Sequence, residues 1–129
     1  MKLKTFLVAA VVLGCTVIPI VIILGYEAVR SQDFTHEILA RAPERGNWLP
    51  RRITVPVGKP VRLRIRNVDT VTHGFTIPDF GIDLGHLKAG HAAIVEFTPQ
   101  KPGTHDFYCT VWCSDHHLQM RGTIEVTSP

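Results

Sequence analysis

Residues 51–66 read RRITVPVGKPVRLRIR, and apolar and polar side chains alternate along almost all of it. Ile53, Val55 and Val57 share one side of its first half. Val61, Leu63 and Ile65 share one side of its second half, where Arg62, Arg64 and Arg66 take the other. Successive side chains of a strand point to opposite faces, so the pattern predicts two half-buried strands. Gly58-Lys59-Pro60 supplies the turn between them.

Downstream, 72–77, 92–97, 105–109 and 122–126 are the next strand candidates. Pro78-Asp79, Ala89-Gly90 and the run from Pro99 to Gly103 separate them. Short strands at regular spacing, with Gly and Pro between, indicate an all-β domain, an antiparallel sandwich or barrel, over residues 51–129. A chain of 129 residues has room for one such domain.

Upstream, the 45% hydrophobic content is concentrated at the front of the chain. From Phe6 to Tyr26 no residue is charged, and at ~1.5 Å per residue the run reaches roughly 30 Å, the thickness of a bilayer core. Residues 1–26 are therefore expected to be an uncleaved membrane anchor, kinked at Pro19. Gly25-Tyr26-Glu27 is a poor cleavage site for a signal peptide. Val12-Leu13-Gly14-Cys15 resembles a lipobox only loosely, because the chain stays apolar after Cys15. Lys2 and Lys4 precede the run and Glu27 follows it, which predicts a cytoplasmic N-terminus and an exported domain. Between anchor and domain, 27–50 is read as a juxtamembrane helix carrying Val29, Phe34, Ile38 and Leu39, then a linker with two prolines.

The net charge of +3 includes the two anchor lysines. Arg41, Arg45, Arg51, Arg52, Lys59, Arg62, Arg64 and Arg66 nevertheless fall in one stretch whose single acid is Glu44. This is read as a solvated face, with a docking surface for anionic headgroups or an acidic redox partner as the sharper alternative. An exported domain is not expected to meet nucleic acid.

Chemistry is concentrated in CTVWCSDHHLQM, residues 109–120. Cys109, Cys113, His117 and Met120 put thiolate, imidazole and thioether donors within one loop between two strand candidates. Soft and borderline donors in this mixture suit copper better than magnesium or calcium. A distant histidine, His73 in VTHGFTIP, can close such a site from a neighbouring strand. On residue types alone, a Cys109–Cys113 disulfide, a mononuclear copper site and a Cys2His2 zinc site also remain open. His116 is read as a solvated neighbour of His117, and His36, His86, His91 and His105 as surface or hydrogen-bonded residues.

The pattern C-x3-C-x3-H-x2-M with an upstream H-G-F resembles the CuA centre of cytochrome c oxidase subunit II and of the C-terminal cupredoxin domain of nitrous oxide reductase. The resemblance covers roughly residues 50–127. It implies a cupredoxin-like Greek-key β-sandwich behind the anchor, and a centre of two copper ions. By that resemblance Cys109 and Cys113 bridge the ions, His73 and His117 each bind one, Met120 is a weak ligand and the Val111 carbonyl completes the set. This chain departs from the family at Val111, where an acidic residue or a tryptophan is usual. Its tryptophan comes one later, at Trp112. Trp112 and Trp48 are the electron-transfer candidates.

A closed donor set leaves no position for a substrate, so the expected role is electron transfer rather than catalysis. The partners implied are the catalytic subunit of a respiratory oxidase or reductase, cytochrome c or a similar donor, and membrane lipid. A copper-delivery protein is the competing class, but such proteins favour exposed Met- or His-rich sites, and this chain has two methionines.

Overall fold

The computed structural model of the chain describes residues 2–31 and 34–128. They fall into two compact units, Met1–Asp33 and Phe34–Pro129. The first is one helix, α1, Lys2–Ser31, which runs unbroken through Pro19. Its segment Leu3–Tyr26 is long and apolar enough to cross a membrane, and none of its apolar window is buried inside the chain.

The second unit holds eight described strands: β1 His36–Ala40, β2 Arg52–Pro56, β3 Val61–Asn67, β4 Thr76–Ile77, β5 Ile82–Asp83, β6 Ala92–Phe97, β7 Gly103–Tyr108 and β8 Arg121–Thr127. They form two sheets, ordered β1-β3-β6 and β2-β8-β7-β4-β5. Alternation along each strand explains the core between them. Ile38 and Ala40, Ile53 and Val55, Val61, Leu63 and Ile65, and Ile124 and Val126 all point inward. Each of these valine, leucine and isoleucine side chains contributes about 1.5–3 kcal/mol on burial. Trp48, Phe75 and Phe107 fill the middle, with Trp48 edge-on to both phenyl rings.

Four expectations are corrected. The helix expected to carry Phe34, Ile38 and Leu39 ends at Ser31, and His36–Ala40 is a strand parallel to β3. Ile38 and Ala40 alternate with Glu37 and Leu39, and that period of two prevails because the free edge of β3 takes up the backbone. The side chain of Val29, read as part of that helix, lies outside those described. Residues 42–50 are no loose linker, since Ala42, Asn47 and Trp48 are buried. The sheets are mixed rather than antiparallel, because β2 also pairs in parallel, with β8. Finally, the strand expected over 72–77 is reduced to Thr76–Ile77. His73 sits ahead of it in an isolated bridge with Leu87.

Asn67 shapes the segment that carries His73. Its buried amide donates to the carbonyls of Val71 (2.7 Å) and Leu87 (2.9 Å), and its Oδ1 accepts from the N–H of Asp69 (2.9 Å). A fully satisfied buried amide of this kind holds irregular backbone as firmly as a ladder does.

Candidate metal centre

Two stretches of backbone meet at one end of the sandwich: residues 67–75, leading into β4, and 109–120, between β7 and β8. Five side-chain donors and one backbone carbonyl converge there. Cys109 Sγ lies 3.9 Å from His73 Nδ1 and 3.2 Å from the Val111 carbonyl oxygen. Cys113 Sγ lies 3.6 Å from His117 Nδ1 and 3.7 Å from Met120 Sδ. Ligand atoms of His73, Cys109 and Cys113 all fall within 4.8 Å of one another. The five predicted side chains and the predicted carbonyl are thus brought together, and both cysteines are free thiols. Two thiols, two imidazoles and a thioether facing one small volume form a donor set that fits copper.

The supports explain why the loop takes this path. The Met120 carbonyl accepts from Cys109 N–H (3.1 Å) and from Trp48 Nε1–H (3.1 Å), which closes the loop on itself and fixes Met120 fully buried. Asn47 Nδ2 donates to the Gln119 carbonyl at 3.0 Å. A 3-10 turn over His117–Gln119 carries the imidazole round toward Cys113. Gly74 N–H points at Cys109 Sγ (3.3 Å), a donor that favours negative charge on sulfur. Only glycine fits there: a Cβ would come within 2.1 Å of Thr110 Oγ1 and 2.9 Å of the Thr110 backbone nitrogen.

Electrostatics prepare His73 as a neutral donor. Burial pushes its pKa down, against the opposing pull of Asp69. Burial would push the Asp69 carboxyl up, but N–H donors from Ala42 and Thr70, with Arg45 and His73, bring it to about 2. The carboxylate can only accept, so the imidazole proton sits on Nε2, 3.2 Å away, and Nδ1 presents a lone pair beside Cys109. Burial, then the neighbouring Cys109, push the Cys113 thiol up to about 12. In the metal-free protein that sulfur keeps its proton at neutral pH.

The centre is buried except along one edge, where His117 is half-buried beside Trp112. Their rings are 5.8 Å apart, and Trp112 is 69% exposed. Trp48 is wholly buried, with its ring 6.4 Å from that of His73. Sequence reasoning missed Asp69, Asn67, Gly74 and Glu44. Glu44 Oε1 meets Nδ1 of His116 at 2.7 Å, so the residue read as a solvated neighbour ties the loop to residues 43–45. An acid four residues before His73 was the one signal available for Asp69.

Residues 16–126 match the cupredoxin-like domain family. Nitrous-oxide reductase of Ralstonia nicotianae is 37% identical over 99 residues, covering 74% of this chain and 15% of that protein. The enzyme of Stutzerimonas stutzeri is 30% identical over 79 residues, covering 59% and 12%. The chain therefore spans only 12 to 15% of the length of these curated relatives. Among solved structures, a chain of a heme-copper terminal oxidase dimer superposes with a TM-score of 0.58 at 22% identity, covering 98% of this chain and 100% of that one. The periplasmic domain of subunit II of cytochrome oxidase from Bradyrhizobium japonicum gives 0.57 at 22% identity, covering 74% and 86%. At such identities the likeness to these structures shows the fold.

Proposed function

The chain belongs to the cupredoxin-like domain family, and from that premise we propose that it is a membrane-anchored electron-transfer protein with a two-copper centre. In this reading Cys109, Cys113, His73 and His117 would hold the ions, with Met120 as a weak ligand and the Val111 carbonyl as the remaining donor. The observation that carries it is the pairing of donors. Each thiol has its own imidazole within 4 Å, and one has a thioether while the other has a carbonyl.

Copper held there supplies a reversible one-electron couple. The chain's own residues keep that couple fast and selective. Asp69 and Asn67 hold His73, and Trp48 and Cys109 N–H hold Met120, so the donors need little rearrangement between oxidation states. Burial of Cys109, His73 and Met120 keeps water out. The half-buried His117 and exposed Trp112 offer an edge through which an electron can pass.

The apolar segment of α1 anchors the domain, and Lys2 and Lys4 keep its N-terminus in the cytoplasm, with the copper domain outside. The end-to-end likeness to a chain of a heme-copper terminal oxidase supports a subunit II-like role, passing electrons from cytochrome c or a similar donor to an oxidase. The sequence likeness to nitrous-oxide reductase supports that class of acceptor as the second reading. Purification from native membranes distinguishes them: haem signals that copurify with the chain favour the oxidase, and their absence favours a separate reductase.

The test of the centre is a copper count with absorption and EPR spectra of the full chain, loaded in lipid nanodiscs. Two ions per chain, with hyperfine structure from one electron shared between two copper nuclei, is the expected result. One ion with the hyperfine pattern of a single nucleus would overturn the two-copper assignment.

A further inference from the structure

Of the eight basic residues noted in the sequence stretch, four face acids and two, Arg51 and Arg52, line a groove; Arg41 and Lys59 belong to neither set. Arg45 pairs with Asp69, Arg62 with Glu96 (2.6 Å), and Arg64 and Arg66 both face Glu37 (3.5 and 3.7 Å). Arg51 and Arg52 have no ion-pair partner among the described residues. They are joined by Arg121, which the sequence stretch did not include, and the three line a shallow groove with Asp106, Gly122 and Thr123.

Two of these guanidinium groups are already held in place. Arg51 Nε donates to the Arg121 carbonyl (3.2 Å), and Arg121 Nε donates to the Leu118 carbonyl (3.3 Å). The Arg121 guanidinium also lies over the Tyr108 ring, 5.1 Å from its centroid. Both anchoring bonds use Nε, and a guanidinium already held in place loses less entropy on meeting a carboxylate. Asp106 is the one acid among the lining residues, so the groove keeps a surplus of positive charge.

The groove also touches both strands that bracket the metal loop. Arg121 follows Met120, Tyr108 precedes Cys109, and Arg121 and Tyr108 are register partners across β7 and β8. A carboxylate-bearing surface seated on Arg121 would lie one residue along the chain from Met120, a proposed ligand. We propose that the Arg51–Arg52–Arg121 groove is the docking surface for an acidic face of the protein's redox partner. The partner's role rests on the electron-transfer reading, whereas the groove's taste for anions does not. Fixed cations around a shallow depression steer anionic surfaces and orient them, more than they add affinity. Lipid headgroups share the phosphate and carboxylate chemistry, but nothing in their recognition explains why the groove adjoins the metal loop.

The test uses the full chain, metal-free and reduced, in nanodiscs of neutral phosphatidylcholine, so its result is independent of copper. The paramagnetic anion hexacyanochromate(III) is titrated while backbone amide signals are followed by NMR. Selective broadening at Arg51, Arg52, Asp106, Arg121 and Thr123, reversed by salt and by an oligoglutamate peptide, is expected. The cation hexaamminechromium(III) should leave these signals sharp. Arg52→Glu and Arg121→Glu should each weaken the effect about tenfold, while Lys59→Glu, in the turn at the far end of β2, leaves it unchanged. Should Arg121→Glu misfold, Arg52→Glu decides alone, since no described hydrogen bond depends on that side chain. Broadening spread equally over Lys59, Lys88 and Lys101 would overturn the proposal. So would loss of probe binding at the groove when phosphatidylglycerol is added to the discs, which would make lipid the occupant.

Discussion

Asp69 and His73 are held side by side in the interior, with Asp69 Oδ2 3.2 Å from His73 Nε2 and both side chains buried. The same carboxylate takes the N–H of Ala42 (2.7 Å), the N–H of Thr70 (2.7 Å) and the guanidinium of Arg45. One side chain thereby connects the turn after β1, the loop before β4 and a candidate metal donor.

Asp69→Ala should therefore act on fold and metal together. Stranding the buried Ala42 N–H should cost about 1–3 kcal/mol in urea unfolding of the metal-free chain. Copper affinity should fall on the order of 10–100-fold, since His73 loses the partner that sets its tautomer. Asp69→Asn keeps an acceptor and should fall between the two. Wild-type copper affinity in Asp69→Ala would mean that packing alone positions His73.

The same carboxylate sets an acid limit on stability. Its folded pKa, about 2, lies below the ordinary value of 3.8, so its contribution is present above pH 3.8 and is lost as pH falls toward 2. The difference corresponds to about 2 kcal/mol. Metal-free wild-type protein should lose this increment between pH 4 and 2, and Asp69→Asn should lose correspondingly less. Identical acid profiles for the two proteins would remove Asp69 from the account.

Gly74→Ala tests the close approach of residues 73–75 to 109–111. The added methyl would meet Thr110 Oγ1 at 2.1 Å, which a rotamer change can relieve, and backbone nitrogens of Thr110 and Val111 at 2.9 and 3.0 Å, which it cannot. Overpacking of this kind costs about 1–3 kcal/mol. Because the Gly74 N–H also faces Cys109 Sγ, copper uptake should suffer more than thermal stability. Unchanged uptake would show that the 109–111 segment shifts without disturbing the donors.

Without metal, the two thiols should oxidise to each other. Their sulfurs lie within 4.8 Å of each other. Mild oxidation of the metal-free chain is expected to form a Cys109–Cys113 disulfide, seen as a two-hydrogen mass loss, and to block copper uptake until a reductant is added. A chain that keeps both thiols under those conditions would indicate that the loop holds the sulfurs apart.

The donor residues were legible in the sequence because a single loop carries four of them at short, regular offsets, and because H-G-F marks the fifth. β2 and β3 were legible from period two, and β6, β7 and β8 as short segments set off by Gly- and Pro-bearing turns. β1 was not. Its five residues mix Ile38, Leu39 and Ala40 closely enough to suit helical spacing, and only the open edge of β3 selects the strand. The basic stretch misled in a similar way, since Glu37, Asp69 and Glu96, lying outside it in sequence, neutralise four of its arginines in space.

The sequence by itself determined an apolar front segment, an all-β domain behind it and a soft donor set suited to copper. These follow from local periodicity and residue chemistry, which need no neighbour to be read. Only the tertiary structure decided the parallel pairing of β1 and β2 with their neighbours, the burial of Trp48 against Met120, the Asp69–His73 contact and the convergence of Arg51, Arg52 and Arg121. Each of these joins residues far apart in the chain or set by loop geometry. Such contacts arise from sheets closing over a shared core, and no local pattern encodes them.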